Sequence, residues 1–278
     1  MKKVLILCVL MALGFVAATG TLAYFTDTVE ANQNVIEAGN VDVTQHEYER
    51  VREADGTYAA EPVLAEFASK PMYPAMDPAE GDAVTGEGGQ WKEYTILGSA
   101  VKMPDETYMG LVDKIVTVTN EGSLAAYVRT YVAIPTQTFG SGAETVSIPW
   151  LKLLCNEQGW TWGGCIAARQ TIVIDDVSGE YDIYMLTYDA PLLPGAQTTP
   201  GLLGLYMCGN VDVDETGYYV TDGNGSRHTI GTANEVKVLV ATTATQGNQD
   251  IMGTDASAAL DMVFKPAEGA DAYHPWQK

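Results

Sequence analysis

Asp113-Lys-Ile-Val-Thr-Val-Thr-Asn120 and, shortly after it, Ala126-Tyr-Val-Arg-Thr-Tyr-Val-Ala-Ile134 are the two segments that decide the fold. Each alternates apolar and polar side chains, which is the period of a strand with one buried face. Glu121-Gly122 lies between them and predicts the turn of a β-hairpin. The expected buried faces consist of Val112, Val116 and Val118 in the first strand and of Val128, Val132 and Ile134 in the second.

The opposite face of the second strand carries Tyr127, Arg129 and Tyr131. A guanidinium on such a face has two favourable arrangements, a stack on an aromatic ring or an ion pair. We therefore expect Arg129 either to stack on its aromatic neighbours or to pair with an acid across the strand.

Further strand patterns surround this pair. Residues 40–48 begin with alternating apolar and polar side chains, and Val236, Val238 and Val240 share one face of a later strand. Pro194-Gly195 suits the central positions of a type II turn, in which the glycine takes a positive φ. Lysine and arginine are too sparse for the charged faces of helical bundles. The sequence therefore predicts an all-β fold, an antiparallel β-sandwich.

Two regions break the strand pattern. Residues 51–92 are rich in proline, glycine and acidic side chains, which predicts a long surface insertion with segments 62–67 and 72–73 lying on the sandwich. Residues 255–264 predict a short helix that Pro266 ends. The apolar face of that helix consists of Ala259, Leu260 and Val263.

The amino terminus has the pattern of a secretory signal peptide. Lys2 and Lys3 precede an apolar run over residues 4–18, and Thr21-Leu22-Ala23 supplies the small residues that a signal peptidase reads. The run is shorter than the roughly 18–20 residues that span a bilayer. We expect cleavage between Ala23 and Tyr24, and a retained signal anchor is the alternative. Residues 1–23 are then the signal peptide, residues 24–38 a strand or linker, and residues 39–278 the sandwich domain.

Several motifs resemble those of the TasA/camelysin family of exported bacterial proteins. The junction Ala23-Tyr-Phe-Thr-Asp27 is followed by Ala38-Gly39-Asn-Val-Asp-Val43, in the order and spacing of the family's precursors. The segment 114–129 is similar to the family's Lys-x-Val-x-Val-x-Asn-x-Gly-Ser motif and its following Ala-Tyr-Val-Arg. The Leu-Pro-Gly turn at 193–195 and the strand at 236–246 resemble two further family elements.

This resemblance implies a jelly-roll sandwich, export with removal of the signal by a SipW-type signal peptidase, and polymerisation by donation of the N-terminal strand to the next copy. The expected polymerisation strand consists of Tyr24, Phe25, Thr26, Asp27, Thr28 and Val29. The partner would be the protein itself, in a secreted fibre or biofilm matrix at a bacterial cell surface. A flexible linker is the alternative for this segment.

Charge restricts the other partners. The chain has a net charge of −21, and without Lys2 and Lys3 it holds 13 basic against 36 acidic residues. Such a charge repels nucleic acid and anionic membrane surfaces, so we expect neither as a partner. We also expect no stable membrane insertion after cleavage. Asp212, Asp214 and Asp222 are candidates for a loose calcium site, although the spacing excludes an EF-hand; no other cofactor is expected.

Three cysteines follow the signal peptide. Cys155 and Cys165 close a short loop, and a disulfide between them is the usual outcome for an exported protein. Three buried thiols are the alternative, and Cys208 is left unpaired by the first arrangement.

Signatures of catalysis are missing from the sequence. His46, His228 and His274 are the only histidines, and none belongs to His-Glu-x-x-His. We therefore expect no catalytic and no metal-binding residues. A camelysin-like metalloprotease ranks below the hypothesis of a structural fibre subunit. A monomeric surface module that binds glycans through Trp150, Trp160 and Trp162 is the main alternative. The same tryptophans would instead cover the end of the sandwich if they are structural.

Overall fold

The structure is a computed structural model, and it describes most of the chain after the first 29 residues. The described residues are 30–33, 40–70, 72, 91–104, 110–136, 138–139, 146–147, 150–174, 177–208, 211–215, 217–222, 224–231, 237–247 and 255–276. The signal peptide, the junction at Ala23 and Tyr24, and the proposed polymerisation strand up to Val29 lie outside these residues.

The described part of the chain contains many strands and a short helix. The strands are β1 (Glu30–Gln33), β2 (Val41–Arg50), β3 (Leu64–Glu66), β4 (Trp91–Ile96), β5 (Ser99–Pro104), β6 (Val112–Asp113), β7 (Ile115–Asn120), β8 (Ala126–Pro135), β9 (Thr138–Phe139), β10 (Val146–Ser147), β11 (Leu151–Cys155), β12 (Trp160–Ile174), β13 (Val177–Tyr188), β14 (Leu202–Met207), β15 (Val211–Asp214), β16 (Gly217–Thr221), β17 (Arg227–Gly231) and β18 (Leu239–Gln246). The helix, α1, spans Ala256–Val263. The predicted all-β class is confirmed.

Two layers of antiparallel strands enclose the main core. One layer has the strand order β12-β13-β8-β18. In the other, β2 pairs with β1, β3 and β7, and main-chain hydrogen bonds join β7 and the residue before it to the sheet β11-β14-β6. The core between the layers draws valines and leucines from both, together with Trp150 and Trp160. The fold is therefore sandwich-like, and the jelly-roll order of connections stays a prediction.

The predicted hairpin between β7 and β8 is wrong, and Val112 lies in the short strand β6 and not in β7. The other predicted apolar residues of the two strands are buried as expected. β7 pairs with β2, whereas β8 pairs with β13 and β18. The chain crosses from one layer to the other after Asn120, so the apolar faces of the two strands meet across the core. Val116, Val118, Val128, Val132 and Ile134 all lie in that core. Alternation identifies a buried face, but it does not identify the strand beside it.

The other face of β8 is covered by α1 and the C-terminal tail. Tyr127 packs against Ala259 and Leu260 of the helix, and Tyr131 packs in a cluster with Trp276. Arg129 extends toward α1, where its Nη1 donates to the Asp261 carboxylate at 2.6 Å. The expected ion pair of this arginine thus exists, but its acid lies on the helix and not on a neighbouring strand.

Helix α1 begins and ends where the sequence predicts. The Asp255 carboxylate accepts a hydrogen bond from the Ala258 amide at 3.1 Å, which caps the amino end. Ala256, Ala259 and Leu260 are buried, whereas Met262 is about half exposed. The side of the helix that touches the sheet is therefore narrow.

The proline turn follows the prediction, whereas the insertion does so only in part, because Leu64–Glu66 forms β3 beside the end of β2. Tyr73 lies outside the described residues. Phe67 is buried and Met72 packs against the main core, so both lie on the sandwich. Trp91, inside the predicted insertion, already begins β4. In the proline turn, Gly195 has φ +73°, and the Ala196 amide donates to the Leu193 carbonyl at 3.0 Å.

Substitution of the buried helix residue tests how much the cover over β8 contributes. Leu260→Ala should lower the free energy of unfolding by about 2–5 kcal/mol, because it leaves a cavity beneath the helix. Met262→Ala on the exposed side of the same helix is the matched control and should change it by less than about 0.5 kcal/mol. Urea unfolding measures both, and equal effects would show that the helix does not stabilise the sheet.

Candidate assembly site

The first strand of the described chain lies along one edge of β2. β1 is antiparallel to the start of β2, with Glu30 opposite Thr44 and Gln33 opposite Val41. The other edge of β2 pairs with β7 over Val43 to Tyr48. Strand β2 therefore lies between the N-terminal strand and β7, and β3 pairs further along the same edge as β1. In the described residues β2 is the only strand that forms a ladder with β1.

The start of β2, which is the root of this N-terminal segment, is held by the residues through which the chain crosses from one layer to the other after β7. The Asn40 carbonyl accepts hydrogen bonds from the Ser123 and Leu124 amides, at 3.0 and 3.3 Å. The Asp42 carbonyl accepts from the Glu121 and Gly122 amides, at 2.8 and 3.1 Å. A Cβ on Gly122 would lie 2.7 Å from the Asp42 nitrogen, so only glycine fits at this position.

The fully buried Asn120 side chain holds the crossing in place. Its Nδ2 donates to the carbonyls of Leu124 and Leu192, at 2.7 and 2.8 Å, and its Oδ1 accepts from the Gly122 amide at 3.0 Å. An amide is suited to this position, because it donates twice and accepts once without a charge. Asn120 thus connects the crossing to the proline turn and, through Gly122, to the start of β2.

The middle of β2 carries polar side chains into the core. Gln45 Nε2 donates to Glu47 Oε1 at 2.9 Å, and Gln45 Oε1 accepts from Thr242 Oγ1 of the facing layer at 2.7 Å. Lys114 Nζ donates to Glu47 Oε2, and Lys114 is fully buried. Burial lowers the pKa of Lys114, and the Glu47 carboxylate opposes that shift. This set of side chains, which we call the interlayer network, links β2 to both layers.

A buried ion pair holds the far end of β2. Arg50 Nε and Nη2 donate to the two Asp113 carboxylate oxygens at 2.8 and 2.9 Å, and the Arg50 amide donates to the same carboxylate. The guanidinium carbon lies 3.9 Å from the ring centre of Tyr58 and 4.6 Å from that of Tyr94. Since Tyr58 belongs to the insertion and Tyr94 to β4, this cation attaches both to the sandwich.

Cys155 and Cys165 are free thiols, so no disulfide joins them. Cys155 lies on β11 and Cys165 on β12, and Cys208 is buried. Burial, with a smaller contribution from Glu157, raises the pKa of Cys155 to about 12. Burial and then Asp182 raise that of Cys165. The alternative of three buried thiols holds for Cys208, whereas Cys155 is partly buried and Cys165 is exposed.

The three tryptophans do not form one surface. Trp150 and Trp160 are buried in the main core, where Trp160 Nε1 donates to the Thr199 carbonyl at 3.0 Å. Trp162 is exposed, and its ring stacks on Tyr184 with centres 5.5 Å apart. Two of the three tryptophans are thus structural, as the alternative to glycan binding predicts, and one remains at the surface.

The candidate calcium ligands each bind a different protein group. Asp212 accepts from the Tyr219 hydroxyl at 2.7 Å, and Asp214 pairs with Arg227 at 3.0 Å. Asp222 accepts from His228 Nε2 at 2.9 Å, and this hydrogen bond is the main cause of the lowered pKa of Asp222. Among the described residues, no three side chains of histidine, cysteine, aspartate or glutamate gather in a group that could hold a metal.

The histidines also lie on separate elements. His46 Nε2 is 3.0 Å from Thr119 Oγ1, and its ring stacks on Tyr48. His228 pairs with Asp222, and His274 packs beside Trp276 in the C-terminal tail. Each therefore has a local contact of its own.

Comparisons with protein-family models, with curated proteins and with solved structures found no match. Within the part of the chain that the structure describes, no helix has the length and apolarity to cross a membrane. The geometry around β2 is therefore the main structural ground for a proposal about function.

Gly122→Ala tests the root of the N-terminal segment. The added methyl would displace the start of β2, so the free energy of unfolding should fall by about 3 kcal/mol. Glu121→Ala, at the exposed neighbouring position, is the control and should change it by less than about 0.5 kcal/mol. Denaturant titration measures both, and a neutral Gly122→Ala would contradict the close approach.

A double-mutant cycle tests the interlayer network. Lys114→Met alone should cost about 3–5 kcal/mol, because the Glu47 carboxylate would stay buried without its cation. The pair Lys114→Met with Glu47→Met should cost less than either single change, since no buried charge remains. Lys102→Met, which removes an exposed lysine of β5, is the control. Additive effects of the two core substitutions would show that these side chains are not coupled.

Proposed function

We propose that this chain is a secreted structural subunit of an extracellular fibre or biofilm matrix. In this proposal a SipW-type peptidase removes the signal peptide, and each copy then donates its N-terminal strand to the next. The chain acts without catalysis, nucleic acid or a lasting membrane anchor. The motifs that resemble the TasA/camelysin family support the proposal, and so does the position of β1.

The pairing of β1 with β2 is the observation that carries the proposal. Among the described residues it is a main-chain ladder of four residue pairs. At roughly 1 kcal/mol net per hydrogen bond, such a ladder contributes only about 2–4 kcal/mol. The same ladder can form between β1 of one copy and β2 of another, which is the usual route of strand exchange.

The anchoring of β2 supports the same proposal. A donated strand needs an acceptor edge that stays formed when its own strand has left. The interlayer network, the Asn120 crossing and the Arg50–Asp113 pair hold β2 along its length through residues that lie outside β1. The acceptor would therefore be ready before the donor arrives, which lowers the cost of binding.

A cysteine pair placed in the β1–β2 ladder tests the exchange. Asn32 lies directly opposite Asp42, so Asn32→Cys with Asp42→Cys, in a Cys165→Ser background, should form a disulfide. Oxidised while dilute, the mature protein should be a locked monomer that forms no filaments by electron microscopy. Oxidised after assembly, it should give a covalent ladder on a non-reducing gel.

The controls separate strand exchange from assembly in general. Asn32→Cys alone should assemble without a ladder, and reduction of the locked monomer should restore filaments. A variant without residues 24–36 should not assemble. Filaments whose disulfides are all within single chains would rule out exchange at this edge, and a mature protein that never forms filaments would rule out the fibre itself.

The exposed Trp162 supports a second candidate, a monomeric surface module that binds glycans. A tryptophan ring backed by Tyr184 offers one flat face for a sugar. Because Trp150 and Trp160 are buried, the platform is a single ring, which is less than the three that the sequence suggested. Binding to cell-wall polysaccharide that is lost in Trp162→Ala, by a protein that stays monomeric, would favour this candidate.

A further inference from the structure

Asn224-Gly225-Ser226 is a motif that the proposed function does not use. The tripeptide Asn-x-Ser or Asn-x-Thr, in which x is not proline, is the acceptor for N-linked glycans on exported proteins. The chain contains nine asparagines, and only Asn224 has a serine or threonine two residues later. A motif this short also occurs by chance, so its structural surroundings decide whether it can act as an acceptor.

The motif lies in the turn that joins the antiparallel strands β16 and β17. The Asp222 amide donates to the Ser226 carbonyl at 2.9 Å, and the Gly225 amide donates to the Asp222 carbonyl at 3.0 Å. Gly225 has φ +82°, a conformation that glycine adopts without strain. Asn224, Gly225 and Ser226 are all exposed. The motif is therefore at the tip of a hairpin, where a modifying enzyme can reach it.

The Asp222 side chain holds this turn. Its Oδ1 accepts from the main-chain amides of Asn224 and Ser226, at 2.9 and 2.8 Å, and its Oδ2 accepts from His228 Nε2 at 2.9 Å. Within the part of the chain that the structure describes, no such bond uses the Asn224 carboxamide or the Ser226 hydroxyl. Because these two groups do not hold the turn, a change at either should leave it folded.

The buried asparagines Asn120 and Asn156 show what a structural role requires. The carboxamide of Asn120 makes the three hydrogen bonds that hold the crossing after β7. Asn156 Nδ2 donates to the Pro200 carbonyl at 2.9 Å, and its Oδ1 accepts from the Gln158 amide at 3.1 Å. A buried carboxamide is costly unless it is bonded in this way. Asn224 has neither the burial nor the bonds, so its carboxamide is available for chemistry.

A bulky group on Asn224 is compatible with the rest of the molecule. Val220 and Ile230, on the two strands behind the turn, are buried in the main core and anchor the base of the hairpin. Among the described residues, β15, β16 and β17 form a sheet of their own, and no ladder joins that sheet to β1 or β2. An oligosaccharide at the tip therefore leaves the core and the β1–β2 ladder in place.

We propose that Asn224 is the attachment site of an N-linked glycan that the exporting cell adds. The donor is an oligosaccharide joined through a diphosphate to a polyisoprenyl lipid, and an oligosaccharyltransferase catalyses the transfer. Asn224 Nδ2 forms a bond to C1 of the first sugar, and the bond between C1 and the diphosphate oxygen breaks. The proton that Nδ2 loses goes to the released lipid diphosphate, and nothing is oxidised or reduced. This site rests on the export that the proposed function includes, and it does not require a fibre.

Mass spectrometry of the mature protein tests the site. The protein is purified from the medium of the organism that makes it. Its intact mass should exceed that of the polypeptide by the mass of an oligosaccharide, and the peptide that contains Asn224 should carry the whole difference. Fragmentation that keeps the sugars attached should place them on Asn224 and not on the neighbouring Ser226.

Substitutions in the motif, expressed in the same organism, provide the controls. Asn224→Gln removes the acceptor nitrogen, and Ser226→Ala removes the hydroxyl that the enzyme reads, so each should lower the glycosylated fraction by about tenfold or more. Ser226→Thr keeps the motif and should leave the fraction within about twofold. Circular dichroism checks that each variant is folded.

Three results would overturn the assignment. The first is an unmodified Asn224 in the exported wild-type protein. The second is a glycan that remains in Asn224→Gln, because its attachment would then be elsewhere. The third is conversion of Asn224 to aspartate in place of glycosylation, since an asparagine before a glycine can also lose its side-chain nitrogen as ammonia.

The outcome can be separated from that of the fibre proposal. If both hold, the mature glycoprotein forms filaments, and Asn224→Gln forms them without the glycan. If the fibre proposal alone fails, the glycoprotein stays monomeric. If the glycan proposal alone fails, filaments form from a protein whose Asn224 is unmodified. A protein that stays inside the cell with its signal peptide would overturn both, because both require export.

Discussion

The hydrogen bond from Thr242 to Gln45 is the interaction on which the two layers depend for their alignment. Gln45 continues to Glu47, and Glu47 to the buried Lys114, so polar groups from both sheets meet inside the core. A buried cation or carboxylate is costly unless it is paired, and these side chains are satisfied only in one alignment. The apolar core favours contact between the layers, and the interlayer network selects their register. The edge of β2 that pairs with β1 and the helix that covers β8 both take their positions from that register.

Local patterns were enough to predict many parts of this fold. The faces of β7 and β8, the helix after Asp255 and the positive φ of Gly195 each follow from residues close together in the chain. The pairing of β7 and β8 was predicted wrongly, because the same alternation suits a hairpin and a crossing between layers. The crossing is decided by Asn120, whose amide bonds to Leu192, far along the chain. An asparagine just before a glycine indicates a turn, but it does not reveal that distant partner.

The residues that anchor the candidate site were missed for a related reason. Gln45, Glu47 and Arg50 are polar, and polar residues of a strand are ordinarily assigned to its solvent face. Their burial depends on Thr242, Lys114 and Asp113, which lie far away in sequence. The alternation that begins at Val41 did indicate that Gln45 and Glu47 share the buried face. A polar side chain on the apolar phase of a strand is therefore a signal that could have found them.

The dependence of β2 on distant residues also sets an order of events during synthesis. A ribosome makes the N-terminal strand and β2 early, but the amides that hold Asn40 belong to residues 123 and 124, and Thr242 comes near the end of the chain. Until then β2 has only part of its layer, and Gln45 and Glu47 have no core to enter. The domain can complete its fold only after Thr242 has emerged. A nascent chain that ends before Thr242 therefore cannot serve as a finished acceptor in the proposed strand exchange.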